Sequence, residues 1–388
     1  MSHLWPVARS WDASVLNFFA SFCTKTRAPD ETSKDHTMSR TTLLQTGFDA
    51  IYYSGTAKFM ESCWGGMGVI FCLHHVRPGG GQQTGFAPNS NLEITPEFLA
   101  DIISFVKAKG YELLSLSAAV ERIRRGYSSN RFAVFTLDDG YKDNLVHAMP
   151  VFKAAACPFT VYVAPRIAEG TCELWWRGLE AVVAKTDHLT CKIGEFPFDA
   201  ATASETAKFA AWRSLAPKLQ ALPEYEQRQT LRALADRYGI DVDAQCRSVA
   251  MTWDEIRTMA ADPFATIGAH TLNHYNLRKL AEADTRREIV ESGTRVAAEI
   301  GKPIRHFAYP YGNKDAAGIR EFKLCAEAGY ESSVVTRLGT VSADYANHLQ
   351  ALPRIMVSGR FQNLRSIETL MSGVPGRLAN GLRSLNVS

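Results

Sequence analysis

Short apolar runs alternate with longer amphipathic segments over most of this chain. The runs "GVIFCLHHV" (68–76), "FAVFTLDDG" (132–140), "PFTVYVAP" (158–165), "ATIGAH" (265–270), "IRHFAYPYG" (304–312) and "YESSVVT" (330–336) are rich in β-branched and aromatic residues. They predict strands, the continuous ones buried on both faces. Between them, "TPEFLADIISFVKAKG" (95–110) predicts a helix, with Thr95 as cap, Pro96 in the first turn and Gly110 as the stop. Further helices are expected in 144–157, 253–262, 280–301 and 318–329. Strands alternating with helices of this length make parallel βα units, hence an α/β sheet or barrel.

The rhythm breaks at 166–250. "LWWRGLEAVVAK" (174–185), the short run "TCKIGEFPFD" (190–199) and the charged segment at 211–239 predict a mainly helical insertion between two core strands. The expected organisation is an N-terminal leader and helix at 1–60, a first barrel part at 61–165, the insertion at 166–250, a second barrel part at 251–360 and a tail at 361–388.

Composition narrows the class. The chain has 388 residues, 46% of them hydrophobic, and a net charge of +3. It can bury a large core, and without a long basic run it gives no footprint for nucleic acid. No stretch reaches the ~18 continuous apolar residues of a membrane-spanning helix. The apolar patch "VLNFFASF" (15–22) follows Asp12 and has no basic stretch ahead of it, unlike a secretory signal. The polar stretch 27–40 reads as linker, and Met38 is an alternative start. Eight cysteines without a CxxC pair give no disulfide framework, and Cys72 and Cys157 are expected as buried free thiols. Together these features set the expectation of a cytoplasmic protein.

The chemistry concentrates at three strand ends. In "FTLDDGYKDN" (135–144) two carboxylates stand side by side where a buried strand stops, a costly arrangement because each raises the charging cost of the other. A solvated Asp-Gly turn is the bland explanation. In "IGAHTLNHYNL" (267–277), His270 and His274 stand four apart, which on a helical turn puts both imidazoles on one face. Two His and one carboxylate can hold a metal and leave positions open for water and substrate. A bound cation would offset the carboxylate repulsion and leave the second acid ionised as a base. The third segment, "RHFAYPYG" (305–312), ends in a Pro-Tyr-Gly loop. There Tyr311 could aim a backbone N–H at a developing oxyanion, with Tyr309 and Tyr311 lining a groove; the alternative is a turn with packed aromatics.

These segments together resemble the NodB-homology polysaccharide deacetylases, carbohydrate esterase family 4, over about 66–165 and 250–357. The family's motifs stand here as "TLDDGYKDN", "HTLNH" and "FAYPYG", in the family's order. The resemblance implies a distorted (β/α)7 barrel that hydrolyses N-acetyl groups on amino sugars. It implies Asp138 as catalytic base and Asp139, His270 and His274 as ligands of a divalent metal, zinc first, with cobalt, nickel or manganese as alternatives. The partner it implies is an N-acetylated carbohydrate.

Two departures stand out. The late Leu-x-His motif that supplies an acid in many members is absent. The early "FCLHHV" is similar to the strand that delivers the acid His in circularly permuted poly-N-acetylglucosamine deacetylases, which makes His74 the general acid, with His348 as the fallback and His75 on the opposite face of the strand. The arginine that orients the base in many members is replaced by Ala308, and Arg354 on the last predicted strand is the substitute, ahead of Arg305. Trp175 and Trp176, at the head of the insertion, are placed for substrate contact or for packing. Competing readings are a hydrolase of a non-sugar amide on the same fold, a non-catalytic carbohydrate-binding relic, and a structural zinc site, which would expect four closed ligands with thiolates prominent.

Overall fold

The computed structural model describes residues 40–81 and 85–387. The patch at 15–22, the stretch 27–39 and Met38 lie outside the described residues. Of the leader and helix expected at 1–60, helices Arg40–Tyr53 and Thr56–Trp64 fall within or across that range.

Seven strands make the centre: β1 (Gly68–Leu73), β2 (Phe132–Leu137), β3 (Phe159–Val163), β4 (Ala265–Ala269), β5 (His306–Ala308), β6 (Ser332–Leu338) and β7 (Leu352–Met356). All pair in parallel, and β1 pairs with both β2 and β7, so the sheet closes into a barrel. The barrel is distorted where it is thinnest. Strand β5 has three residues and meets β4 through Phe307 and Ala269, and the register slips between β6 and β7.

Every residue of β1, β2 and β3 is buried, because a parallel strand packs helices on one face and the barrel interior on the other. Side chains still alternate. Val69, Phe71 and Leu73 of β1 and Ala133, Phe135 and Leu137 of β2 face the outer layer, where helix Pro96–Ala108 contributes Leu99, Ile102, Ile103 and Val106. Ile70, Val134, Tyr162, Ala308, Val334 and Leu352 face inward. In the outer layer Phe71, Phe135, Phe152 and Phe159 form a chain of ring contacts with centroids 5.0, 5.6 and 4.5 Å apart. Each buried ring stabilises the fold by about 1.5–3 kcal/mol relative to exposure.

Local signals set the helix ends as expected from the sequence. The Thr95 hydroxyl accepts from Phe98 N–H at 3.1 Å, Pro96 opens the helix, and Gly110 takes φ 80°, a conformation that glycine adopts without steric cost. Helix Leu116–Arg125 sends Leu116, Ala119, Val120 and Ile123 into the interior cluster. It lies at the end where strands begin, since Ser117 Oγ is 2.8 Å from Nε2 of His306, the first residue of β5.

Between β3 and β4 the chain forms helices Trp175–Lys185, Glu205–Ala221, Glu224–Arg237 and Val242–Val249 and one antiparallel hairpin, His188–Ile193 with Phe196–Ala201. This segment has its own core, including Leu179, Val183, Leu189, Leu215, Leu219 and Leu231. The 361–388 stretch, read from sequence as a tail, instead contains helices Leu364–Met371 and Val374–Ala379. The first is capped by Asn363 Oδ1 on Ser366 N–H and buries Ile367 and Met371 in the outer layer. Two turns of helix leave too short a periodic pattern to stand out in sequence.

Candidate active site

Alternation along the strands decides which side chains reach the carboxyl end of the barrel interior. On β2, Val134 points inward, so Thr136 and then Asp138 follow on the same face. On β1 the same rule turns Cys72 and His74 inward. On β7 it places Arg354 inward beside Leu352. These residues converge. Arg354, with no exposed surface, donates from Nη1 to Asp138 Oδ1 and from Nη2 to Oδ2, both at 2.7 Å. Its Nη1 also reaches Thr136 Oγ1 and its Nε reaches Val335 O, each at 3.0 Å. Cys72 Sγ lies 3.6 Å from Asp138 Oδ2. One ligating atom from each of Cys72, His74 and Asp138 falls within 4.8 Å of the others. Burial would push the Asp138 carboxyl up, but the Arg354 charge and hydrogen bonds outweigh it and hold the group below its ordinary value. His74 is held down, chiefly by burial.

Asp139 turns the other way. Its Oδ1 lies 3.3 Å from His270 Nε2 and 3.1 Å from His274 Nε2, and all three residues are buried. His270 Nδ1 faces the Ala308 carbonyl at 2.8 Å. A carbonyl only accepts, so Nδ1 carries the proton and the neutral ring offers a bare Nε2 to Asp139. Two acceptors aimed at one another repel unless a proton or a cation lies between them. Asp139 Oδ1 finds no hydrogen-bond donor. The donor set, two imidazole nitrogens and one carboxylate oxygen, therefore fits a divalent cation with open positions.

The two histidines do not reach this point by sharing a helical face. Residues 270–274 are loop, and the chain doubles back by placing Thr271 at φ 58° and His274 at φ 57°. Asp139 (φ 74°) and Tyr311 (φ 63°) share this left-handed conformation, which costs a non-glycine residue about 1–2 kcal/mol. Strain of this kind gathers at functional sites when the surroundings over-determine it. The loop is tied accordingly. Arg166 N–H donates to Leu272 O at 3.1 Å, Asn273 N–H donates to Glu288 Oε2 at 2.9 Å, and Arg228 Nη2 donates to His274 O at 3.2 Å. Glu288 and Arg228 are both buried and were not anticipated from sequence. Glu288 is the one acid on the buried face of helix Glu282–Ile300, and that position was its available hint; Arg228, inside the insertion, had none.

Tyr309 is not in the site. Ala308 points into the barrel, so its neighbours point out. Tyr309 packs with Phe307 and Phe322 in the outer layer and donates its hydroxyl to Gln350 O at 3.0 Å. The groove role expected for it is withdrawn. Tyr311 does reach the site: its ring is 5.3 Å from the His274 ring, and its hydroxyl accepts from Trp175 Nε1 at 2.9 Å. The Trp176 ring lies 5.1 Å from His274. Both tryptophans are buried and pack against site residues.

His75 stacks on Tyr141 at 3.7 Å and pairs with Asp143 at 2.6 Å, on the opposite side of the strand from His74. His348 lies four residues before β7 begins, at the amino end of the barrel, and Arg305 pairs with Glu331 at the start of β5. Neither can serve a site at the carboxyl end. Cys72 and Cys157 are buried and unbonded to one another.

Residues 213–331 match the sequence profile of the polysaccharide deacetylases. The matched segment covers under a third of the chain. The match contains the His270–His274 loop and the Pro-Tyr-Gly loop; Asp138 and Asp139 lie upstream of it. None of the curated proteins matches this chain in sequence. Among solved structures, the Streptococcus pyogenes deacetylase PplD in complex with acetate is 16% identical over 79% of this chain and 97% of that one, with a TM-score of 0.51, a likeness of fold. IcaB from Ammonifex degensii is 16% identical over 79% and 98%, TM-score 0.48. A de-N-acetylase from Aggregatibacter actinomycetemcomitans is 13% identical over 78% and 98%, TM-score 0.47.

Proposed function

We propose that this protein is a deacetylase that removes N-acetyl groups from an amino-sugar oligo- or polysaccharide, with Asp139, His270 and His274 holding a divalent cation, zinc first among the candidates. The observation that carries the reading is the unpartnered Asp139 Oδ1 facing two imidazole Nε2 atoms beside a second carboxylate fixed by Arg354. When bound, the cation acts as a Lewis acid, making water more acidic and offsetting negative charge on the substrate oxygen.

The chain's own residues supply the rest. Asp138, kept ionised and immobile by Arg354, takes a proton from the attacking water, whose oxygen adds to the amide carbon. The backbone N–H of Tyr311 donates to the resulting oxyanion. His74, inward-facing near Asp138, gives a proton to the leaving nitrogen as the carbon–nitrogen bond breaks. Acetate and a free amine result. Burial lowers the His74 pKa while the Asp139 and Asp138 charges raise it; the ring donates as the imidazolium, and the proton that Asp138 takes from water restores its charge after turnover.

The test is acetate release from N-acetylglucosamine oligomers by chelated protein to which single divalent metals are returned, with Asp138→Asn alongside. Release restored by metal and absent in the variant is expected. Binding of metal without release from any amino sugar would favour a non-sugar amide as substrate.

A further inference from the structure

The loop that follows Tyr311 has a second face. Thr336 N–H donates to Gly312 O at 3.0 Å and the Thr336 hydroxyl donates to Tyr311 O, which fixes the loop against β6. The next residue, Arg337, donates from Nη2 to Ala317 O at 2.6 Å and from Nη1 to Asn386 O at 3.0 Å. Behind the loop lies a cavity of about 480 Å³ lined by Arg278, Gly318, Ile319, Arg320, Glu321 and Arg337. It holds three guanidinium groups and one carboxylate, and that carboxylate is committed. Glu321 pairs with Arg320 and accepts from Gly318 N–H at 2.8 Å.

Arg337 is the unusual member. It is 5% exposed, its Nε is buried without an acceptor, and no carboxylate lies within ion-pair distance of it among the described residues. Its company is two backbone carbonyls and the Phe322 ring, 5.4 Å away. A buried guanidinium without a counter-ion is costly, and removing water from a charge is offset only by pairing and hydrogen bonds. Arg278 beside it adds like charge; its Nη1 is held by Lys314 O and its side chain is otherwise exposed. The first turn of helix Ile319–Glu327 lines the same cavity, and N–H groups there have no partner within the helix.

We propose that this cavity binds a phosphate group, either free or carried as a monoester on a sugar. Arg337 and Arg278 supply charge-assisted donors, the helix start supplies backbone N–H groups, and the phosphate gives Arg337 the counter-ion that the protein lacks.

Titration of chelated full-length protein with inorganic phosphate, followed by calorimetry, tests this with no cation at the histidine site. Saturable binding at one site is expected. Arg278→Gln should weaken it by about tenfold or more, the loss of one charge-assisted contact. Arg337→Met should abolish it, and in phosphate-free buffer that variant should melt no lower than the wild type. Parallel titrations with glucose 6-phosphate and glucose identify the source: tighter binding of the ester marks a sugar-borne group, and equal binding of ester and phosphate marks a free anion. Absence of saturable phosphate binding, or wild-type binding in Arg278→Gln, overturns the proposal. Arg278 is exposed and outside the core, so this arm stands even if Arg337→Met does not fold.

Discussion

Arg354 and Asp138 meet across β1 as a two-armed pair, each guanidinium nitrogen 2.7 Å from its own carboxylate oxygen. Neither partner has appreciable contact with solvent. Removing one arm leaves a buried charge unpaired, which costs about 3–5 kcal/mol. Arg354→Met is therefore expected to lower the free energy of urea unfolding by that order and to abolish acetate release. Arg354→Lys, which keeps the charge and loses the fork, should fall between the variant and the wild type. Equal stability of Arg354→Met and wild type would show that the pair is not buried as described.

The donor set around Asp139 predicts a cation-dependent melting temperature. Zinc added to chelated protein at a hundredfold excess over its dissociation constant should stabilise the fold by about 2.7 kcal/mol. His274→Ala and Asp139→Ala should lose that response in scanning calorimetry. Because Asp139 Oδ1 faces both imidazoles without a donor, Asp139→Asn offers a finer check. It places a neutral amide against the two nitrogens and should weaken zinc uptake while leaving the metal-free protein folded.

The two tyrosines of the Pro-Tyr-Gly loop should separate cleanly. Tyr309→Phe removes the hydroxyl that donates to Gln350 O, so a loss near 1 kcal/mol of stability with unchanged kcat is expected. Trp175→Phe removes the donor that holds the Tyr311 hydroxyl and should lower kcat by about tenfold, because small displacements of a positioning group are costly to rate. Steady-state kinetics on the two variants decide between these roles; reduced kcat in Tyr309→Phe would return that residue to the site.

How far the sequence disclosed this arrangement depends on the range of each signal. The strand runs, the capped helix at Pro96 and the three motif loops were legible because their patterns are local: apolar continuity, Thr-Pro at a helix start, adjacent acids at a strand end. Arg354 was legible as a candidate because strand alternation is also local. Tyr309 lies outside for that same reason, since Ala308 occupies the inward face. The His270–His274 spacing suggests a helical turn, yet the pair converges through left-handed residues tied by Glu288 and Arg228, distant in sequence. Such ties are tertiary, and no window of residues around the motif contains them.

A pH experiment addresses a histidine outside the site. His306 is buried between Ser117 Oγ at 2.8 Å and Ser332 Oγ at 2.9 Å, and burial lowers its pKa to about 4 from an ordinary 6.5. A depressed histidine binds its proton more readily when unfolded, so its contribution is complete above pH 6.5 and lost as pH falls towards 4. At about 1.4 kcal/mol per pH unit the loss approaches roughly 3 kcal/mol. Urea unfolding across that window should show a decline that His306→Gln flattens; parallel curves for the two proteins would exclude His306 as the titrating group.

Because Asp138 lies at the end of the second strand and Arg354 on the seventh, that carboxylate is clamped only by closing the ring. A growing chain that has made every other motif residue still carries a buried carboxylate without its clamp until position 354 has been added and has paired beside β1. A chain cut before position 354 would therefore leave the Asp138 carboxylate unclamped, however complete its other motifs.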